Sequence, residues 1–107
     1  GIQQVFIISP NGGEAIQLTE HPSEVGGNLR WHPDGKHVSY VWNGSIILCQ
    51  TGSLPFEERF EILTEPTTPA PTNTVWSHDG KVLAFNRLIK PQGNGPATQQ
   101  IFITRMK

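Results

Sequence analysis

The chain has 107 residues, 36% of them hydrophobic and 16% charged, with a formal net charge of −1. That length holds one small domain, or a piece of a larger one, able to bury roughly two-thirds of its unfolded surface; a near-neutral chain without a basic run argues against the phosphate-neutralising patch that nucleic-acid binding needs. Eleven glycines and nine prolines point to many turns and few helices, hence to an all-β class.

In chain order, residues 4–9 and 15–19 read as two short strands joined by a turn at Pro10-Asn11-Gly12-Gly13. Residues 28–32, 37–42 and 45–50 form the clearest stretch. Pro33-Asp34-Gly35 joins the first pair: proline presets φ, aspartate bonds the backbone ahead of it, and glycine takes the left-handed conformation that a bulged hairpin needs. Asn43-Gly44 joins the second pair, because a type I′ turn requires positive φ at both central residues. Between the turns, Val38, Tyr40 and Trp42 alternate with Ser39 and Val41, which is the period of a strand. A fourth strand is expected over about residues 59–64, and three more over 73–77, 82–87 and 100–105. The longest apolar runs, Val5-Phe6-Ile7-Ile8 and Ile46-Ile47-Leu48-Cys49, are strand-sized and too short to span a membrane. Cys49, the single cysteine, has no internal disulfide partner and leaves the redox compartment open. No signal peptide is visible, and a start at Gly1 suggests processing or an excised stretch.

A repeat runs through these elements. Leu18-Thr19-Glu20 recurs as Leu63-Thr64-Glu65, Trp31 as Trp76, Asp34-Gly35-Lys36 as Asp79-Gly80-Lys81, Val38 as Leu83 and Tyr40 as Phe85, each 45 residues on. Ile46-Ile47-Leu48 returns as Ile101-Phe102-Ile103 at a spacing of 55, so the second copy carries ten extra residues, placed in the Pro- and Gly-rich stretch 88–99. Val5-Phe6-Ile7-Ile8 anticipates residues 46–49 at a spacing of 41. The strands therefore group as two, four and three: the last two of one unit (residues 1–20), a complete unit (21–65), and the first three of another (66–107). Four antiparallel strands per 40 to 45 residues is the period of propeller blades, so the expected architecture is an incomplete propeller of two to three blades. In such a stack Trp31 and Trp76 are expected to plug the spaces between blades, where their indole N–H groups need partners.

Trp31-His32-Pro33-Asp34-Gly35-Lys36 and Trp76-Ser77-His78-Asp79-Gly80-Lys81, each preceded by Leu-Thr about a dozen residues earlier, resemble the W-S-P-D-G-K blade motif of TolB-like (WD-type) β-propellers, nearest to a bacterial propeller family of unknown function. The motif also occurs in oligogalacturonate lyases and in the propeller domains of some serine peptidases. His32 stands where that motif has serine, and His78 where it has proline. The resemblance implies blade structure through Trp31, Asp34, Gly35, Trp76, Asp79 and Gly80 rather than an activity, and a cell-envelope setting.

Because consecutive hairpins turn at opposite ends of a blade, residues 20–27, 43–44, 65–72 and 88–99 fall on one rim. Binding on scaffold folds concentrates in such loops, so this rim, presenting His21, Glu24, Arg87, Lys90, Gln92 and Asn94, is the expected binding face. The favoured function is a non-enzymatic module that binds a protein partner there, or copies of itself by blade stacking and edge pairing, since repeat units need neighbours to bury their faces. The alternative is the propeller part of a polysaccharide-acting lyase or of a peptidase, with ligand or metal near the channel. No H-E-x-x-H or paired-cysteine spacing accompanies His21, His32, His37 and His78, so no metal and no cofactor are called for. Asp34 and Asp79 recur with the repeat and are expected to tie down their own turns rather than to act as a catalytic pair. No G-x-S-x-G elbow is present, and Cys49 sits mid-strand where a thiolate is disfavoured.

Overall fold

A computed structural model describes residues 2–90, 93 and 95–106. The protein is all-β and antiparallel; among the described residues there is one four-residue helix, and nine strands form three sheets. β1 (Phe6–Ile7) pairs with β2 (Ile16–Gln17). β3 (Arg30–Trp31), β4 (His37–Trp42), β5 (Ser45–Gln50) and β6 (Phe60–Ile62) follow one another in a four-stranded sheet. β7 (Thr72–Trp76), β8 (Val82–Ile89) and β9 (Thr98–Arg105) make a three-stranded one. Helix α1 (Phe56–Arg59) occupies the connection before β6, with Glu57 and Glu58 in its first turn. That helical turn sits in a connection expected to be loop, and β6 is shorter than the strand expected over 59–64.

The period-two alternation of the central sheet builds two cores, one on each face. Val38 and Tyr40 of β4, with Ile47 and Cys49 of β5, pack with Val5, Leu18, Val25 and Phe56 on the side of the first sheet. Val41 of β4, with Ile46 and Leu48 of β5, packs with Trp76, Leu83 and Phe85 of the third sheet. Ile46 and Ile47 are fully buried on opposite faces, and each such side chain contributes about 1.5–3 kcal/mol of hydrophobic stabilisation.

Paired hydrogen bonds give the repeat a physical basis. Leu18 donates its backbone N–H to the Val5 carbonyl and Leu63 donates to the Ile46 carbonyl, each at 2.8 Å. The Thr19 hydroxyl oxygen accepts the Val5 N–H at 3.0 Å, as the Thr64 hydroxyl accepts the Ile46 N–H at 2.9 Å. In each unit the Leu-Thr pair thus locks the last strand to the start of the one before it. The turns repeat likewise. Gly35 and Gly80 have φ of 70° and 72° and donate to the carbonyls of His32 and Ser77, respectively. Asp34 Oδ1 accepts the N–H of Lys36 and of His37, and Asp79 Oδ1 accepts that of Lys81. Asn28 and Asn73 both take positive φ, and Asn28 Oδ1 accepts the Asn73 N–H at 2.7 Å, tying one unit's entry to the next.

The two tryptophans of the repeat part company. Trp76 is buried at 8% exposure, and its indole N–H donates to the Ser39 hydroxyl at 2.9 Å. Trp31, expected to be an equivalent plug, is 57% exposed. The physical reason is positional. Ser39 lies on the second strand of a four-stranded sheet, whereas among the described residues the two-stranded sheet beside Trp31 has no strand on the open side of β1.

Candidate functional site

The loops sort to two ends of the sheets. At one end the Gly44 carbonyl accepts the Thr67 N–H, the Val41 carbonyl accepts the Gly26 N–H, and the Trp42 indole donates to Ser23. Approach is close enough that a Cβ on Gly44, whose φ is 80°, meets the Thr67 carbonyl oxygen at 2.7 Å. At the other end lie the two aspartate turns, bridged where His32 Nε2 donates to the Gly80 carbonyl at 3.0 Å.

Among the described residues expected on the first end, Arg87 is the one that lines a cleft there. It sits on β8 facing the second core, past Phe85, its guanidinium carbon 4.9 Å from the centre of the Phe102 ring. Its Nε is buried with no hydrogen-bond partner among the described residues. The side chain lines a cleft of about 460 Å³ with Thr64, Glu65, Pro66, Thr67, Pro71 and Phe85. A neighbouring cleft of about 450 Å³ between Asn43-Gly44 and residues 66–70 shares Pro66 and Thr67 with it. A guanidinium held against an aromatic face, partly out of water and with one donor unmet, is ready for an oxyanion: the fork of N–H groups matches a carboxylate, and the missing bond is costly until it forms.

Of the other expected binding residues, those that are described do not join it. His21 is buried and is corrected from a rim residue to a core one. Gln4 Oε1 accepts its backbone N–H and Gln4 Nε2 donates to its carbonyl, turning the ring inward. There it stacks on Trp42 at 4.2 Å, meets Phe56 and Phe60 edge-on, and bonds the Tyr40 hydroxyl through Nε2 at 2.7 Å. Desolvation lowers its pKa, so it is a neutral aromatic member of the first core. Glu24 and Lys90 are exposed and line none of the clefts around Arg87. Gln92 and Asn94 lie outside the described residues.

The aspartate-turn end holds a cleft of about 520 Å³, lined by His32, Asp34, His37, Glu61, Lys81 and Arg105 among others. His37 Nδ1 bonds Asp34 Oδ2 at 2.7 Å. Desolvation raises the Asp34 carboxyl, but the Lys36 N–H and the His37 ring outweigh it and hold the pKa down at about 2. The carboxylate is therefore ionised and His37 Nδ1 carries the proton. The Gly80 carbonyl requires a proton on His32 Nε2, and His32 Nδ1 lies 3.1 Å from the Asp34 backbone N and 3.2 Å from Asp34 Oδ1. Among the described residues no group of three or more His, Cys, Asp or Glu is arranged to hold a metal ion. Cys49 is buried, and desolvation pushes its thiol up against the opposing pull of Arg59. No helix among the described residues is long and apolar enough to cross a membrane.

The protein is similar to the uncharacterized protein YidR of Escherichia coli (strain K12), with 34% identity over 87 residues. The match covers 79% of the present sequence and spans about a fifth (20%) of the length of that relative. No protein-family model matches the sequence. No solved structure matches it.

Proposed function

We propose that the protein is a segment of a TolB-like β-propeller, two partial blades flanking a complete one, and that it serves as a non-enzymatic interaction module binding a protein partner at the rim around Arg87. The duplicated turns, the Leu-Thr locks and the grouping of strands as two, four and three support the blade reading, and a match to a fifth of a longer relative is in keeping with a unit drawn from a longer stack. The observation that carries the binding reading is the unmet Nε of Arg87 beside a cleft of about 460 Å³. The partner group it suits is a carboxylate, from an acidic side group or the last residue of a partner polypeptide, accepted by the guanidinium while apolar neighbours rest on Pro66 and Pro71.

The test is titration of isotope-labelled protein with the capped peptide acetyl-Asp-Glu-Asp-Glu-amide, following the Arg87 Nε–H resonance. A saturable shift is expected that the amide peptide, with Asn and Gln in place of the acids, does not produce. No shift at millimolar acidic peptide, or an equal response from the amide peptide, defeats the reading.

A further inference from the structure

The cleft of about 520 Å³ at the aspartate-turn end lies between the four-stranded and the three-stranded sheet, and its volume is within the roughly 300–1,000 Å³ of small-ligand sites. Its two walls carry opposite charge. Glu61 of β6 and His37 of β4 line it from the four-stranded sheet; Lys81, in the turn before β8, and Arg105 of β9 line it from the other. Glu61, Lys81 and Arg105 are exposed, and none of them is paired with an opposite charge among the described residues. The floor between them is apolar: Leu48 is buried, and Leu63 and Met106 pack on the second core. Backbone bonds hold both walls in place. Glu61 is paired with Leu48 across β5 and β6, the Met106 N–H donates to the Lys81 carbonyl at 2.7 Å, and His32 Nε2 ties the two turns together through the Gly80 carbonyl at 3.0 Å. His37 Nδ1 is held on Asp34 Oδ2, so in the neutral ring Nε2 is left to accept a hydrogen bond from a ligand.

We infer that this cleft binds a short apolar peptide with both ends unblocked, its ammonium end received by Glu61 and His37 Nε2 and its carboxylate end by Lys81 and Arg105. The walls stand too far apart to pair with each other, so a molecule that answers both carries its opposite charges at its two ends. An extended chain gains roughly 3.3–3.6 Å per residue, so about two or three residues part the charges and lay apolar side chains over Leu48, Leu63 and Met106. A ligand of one charge leaves a wall unanswered, and a polyanion meets Glu61 and Asp34 with like charge. Exposed ion pairs are weak and screened by salt, so they set the direction of the peptide while the floor supplies most of the affinity. The cleft is at the opposite end of the sheets from Arg87, and either reading can fail without the other.

Met106 is the single methionine of the chain, so protein labelled at the methionine methyl reports on the cleft floor with one resonance. Titration with the tripeptide Leu-Ala-Leu at low salt is expected to shift it saturably. Blocking either end, as acetyl-Leu-Ala-Leu or as Leu-Ala-Leu-amide, is expected to weaken binding about fivefold. Two exposed substitutions assign the ends. Glu61→Gln is expected to weaken Leu-Ala-Leu-amide but not acetyl-Leu-Ala-Leu, and Lys81→Gln is expected to do the reverse. A Met106 methyl unmoved at millimolar Leu-Ala-Leu overturns the inference. So does equal binding of the doubly blocked acetyl-Leu-Ala-Leu-amide, which the apolar floor alone explains, or a Glu61→Gln loss that is the same for both singly blocked peptides.

Discussion

Replacing Thr19 by valine keeps the shape of the side chain and removes one hydroxyl. That hydroxyl accepts the Val5 N–H at 3.0 Å and donates to Gln4 Oε1 at 2.6 Å. Thr19 is fully buried and Val5 nearly so, which leaves the orphaned N–H no water to turn to. Gln4 Oε1 is less affected, because it also accepts the His21 N–H at 3.2 Å. A stranded buried donor costs about 1–3 kcal/mol, of which the added apolar methyl recovers a part. The net expectation is a loss of about 1–2 kcal/mol, read in urea unfolding as a midpoint lowered by about 1 M at unchanged slope. Thr64→Val is expected to cost a similar amount, since it strands the N–H of the fully buried Ile46. Two variants that both unfold within about 0.3 M of the parent refute the claim that the Leu-Thr pair locks each unit.

Gly80→Ala is expected to be the more damaging of two glycine changes: its Cβ runs into the His32 ring, whereas Gly12, also at positive φ, has open space around it. Unfolding free energies from urea titration are expected to fall by about 2 kcal/mol or more for Gly80→Ala and about 1 kcal/mol for Gly12→Ala. A double-mutant cycle of Trp76→Phe and Ser39→Ala is expected to give a coupling of about 1 kcal/mol, while Trp31→Phe stays within about 0.5 kcal/mol of the parent. For pH, burial lowers the His21 pKa below its ordinary 6.5 in the fold, so the unfolded state binds the proton first. Stability from this group is fully present above pH 6.5. It falls by up to about 1.4 kcal/mol per unit as the pH drops from there towards the folded pKa. His21→Gln is expected to flatten that limb of the stability profile. Asp34, at about 2 in the fold, adds a second loss that begins only below about pH 4.

Much of the framework is legible in the sequence because its causes are local. Asn43-Gly44 takes φ of 53° and 80°, and Asp34 and Asp79 tie down the N–H groups two residues ahead, all within a few residues along the backbone. The strand alternation from Val38 to Trp42 decides which side chains enter which core. What is not legible depends on residues far apart in sequence. His21 is drawn inward by Gln4 and received by an aromatic cage of Tyr40, Trp42, Phe56 and Phe60, and a histidine between a strand end and a proline carries no local mark of that fate. Trp31 and Trp76 have the same motif around them; their burial differs because one has a strand across from it and the other does not. Arg87 stands out in the sequence by its place on the rim, but the buried Nε and the Phe102 ring beneath it follow from the pairing of β8 with β9. The short helix at Phe56–Arg59 escapes a sequence reading because four residues carry too little periodicity.

Two tryptophans in one repeat have opposite surroundings, and hydrogen–deuterium exchange of their indole N–H groups measures this directly. Trp76 is expected to exchange many-fold more slowly than Trp31, which is expected to exchange at close to the rate of a free indole. Equal protection of the two, or a slower Trp31, contradicts the missing-strand account.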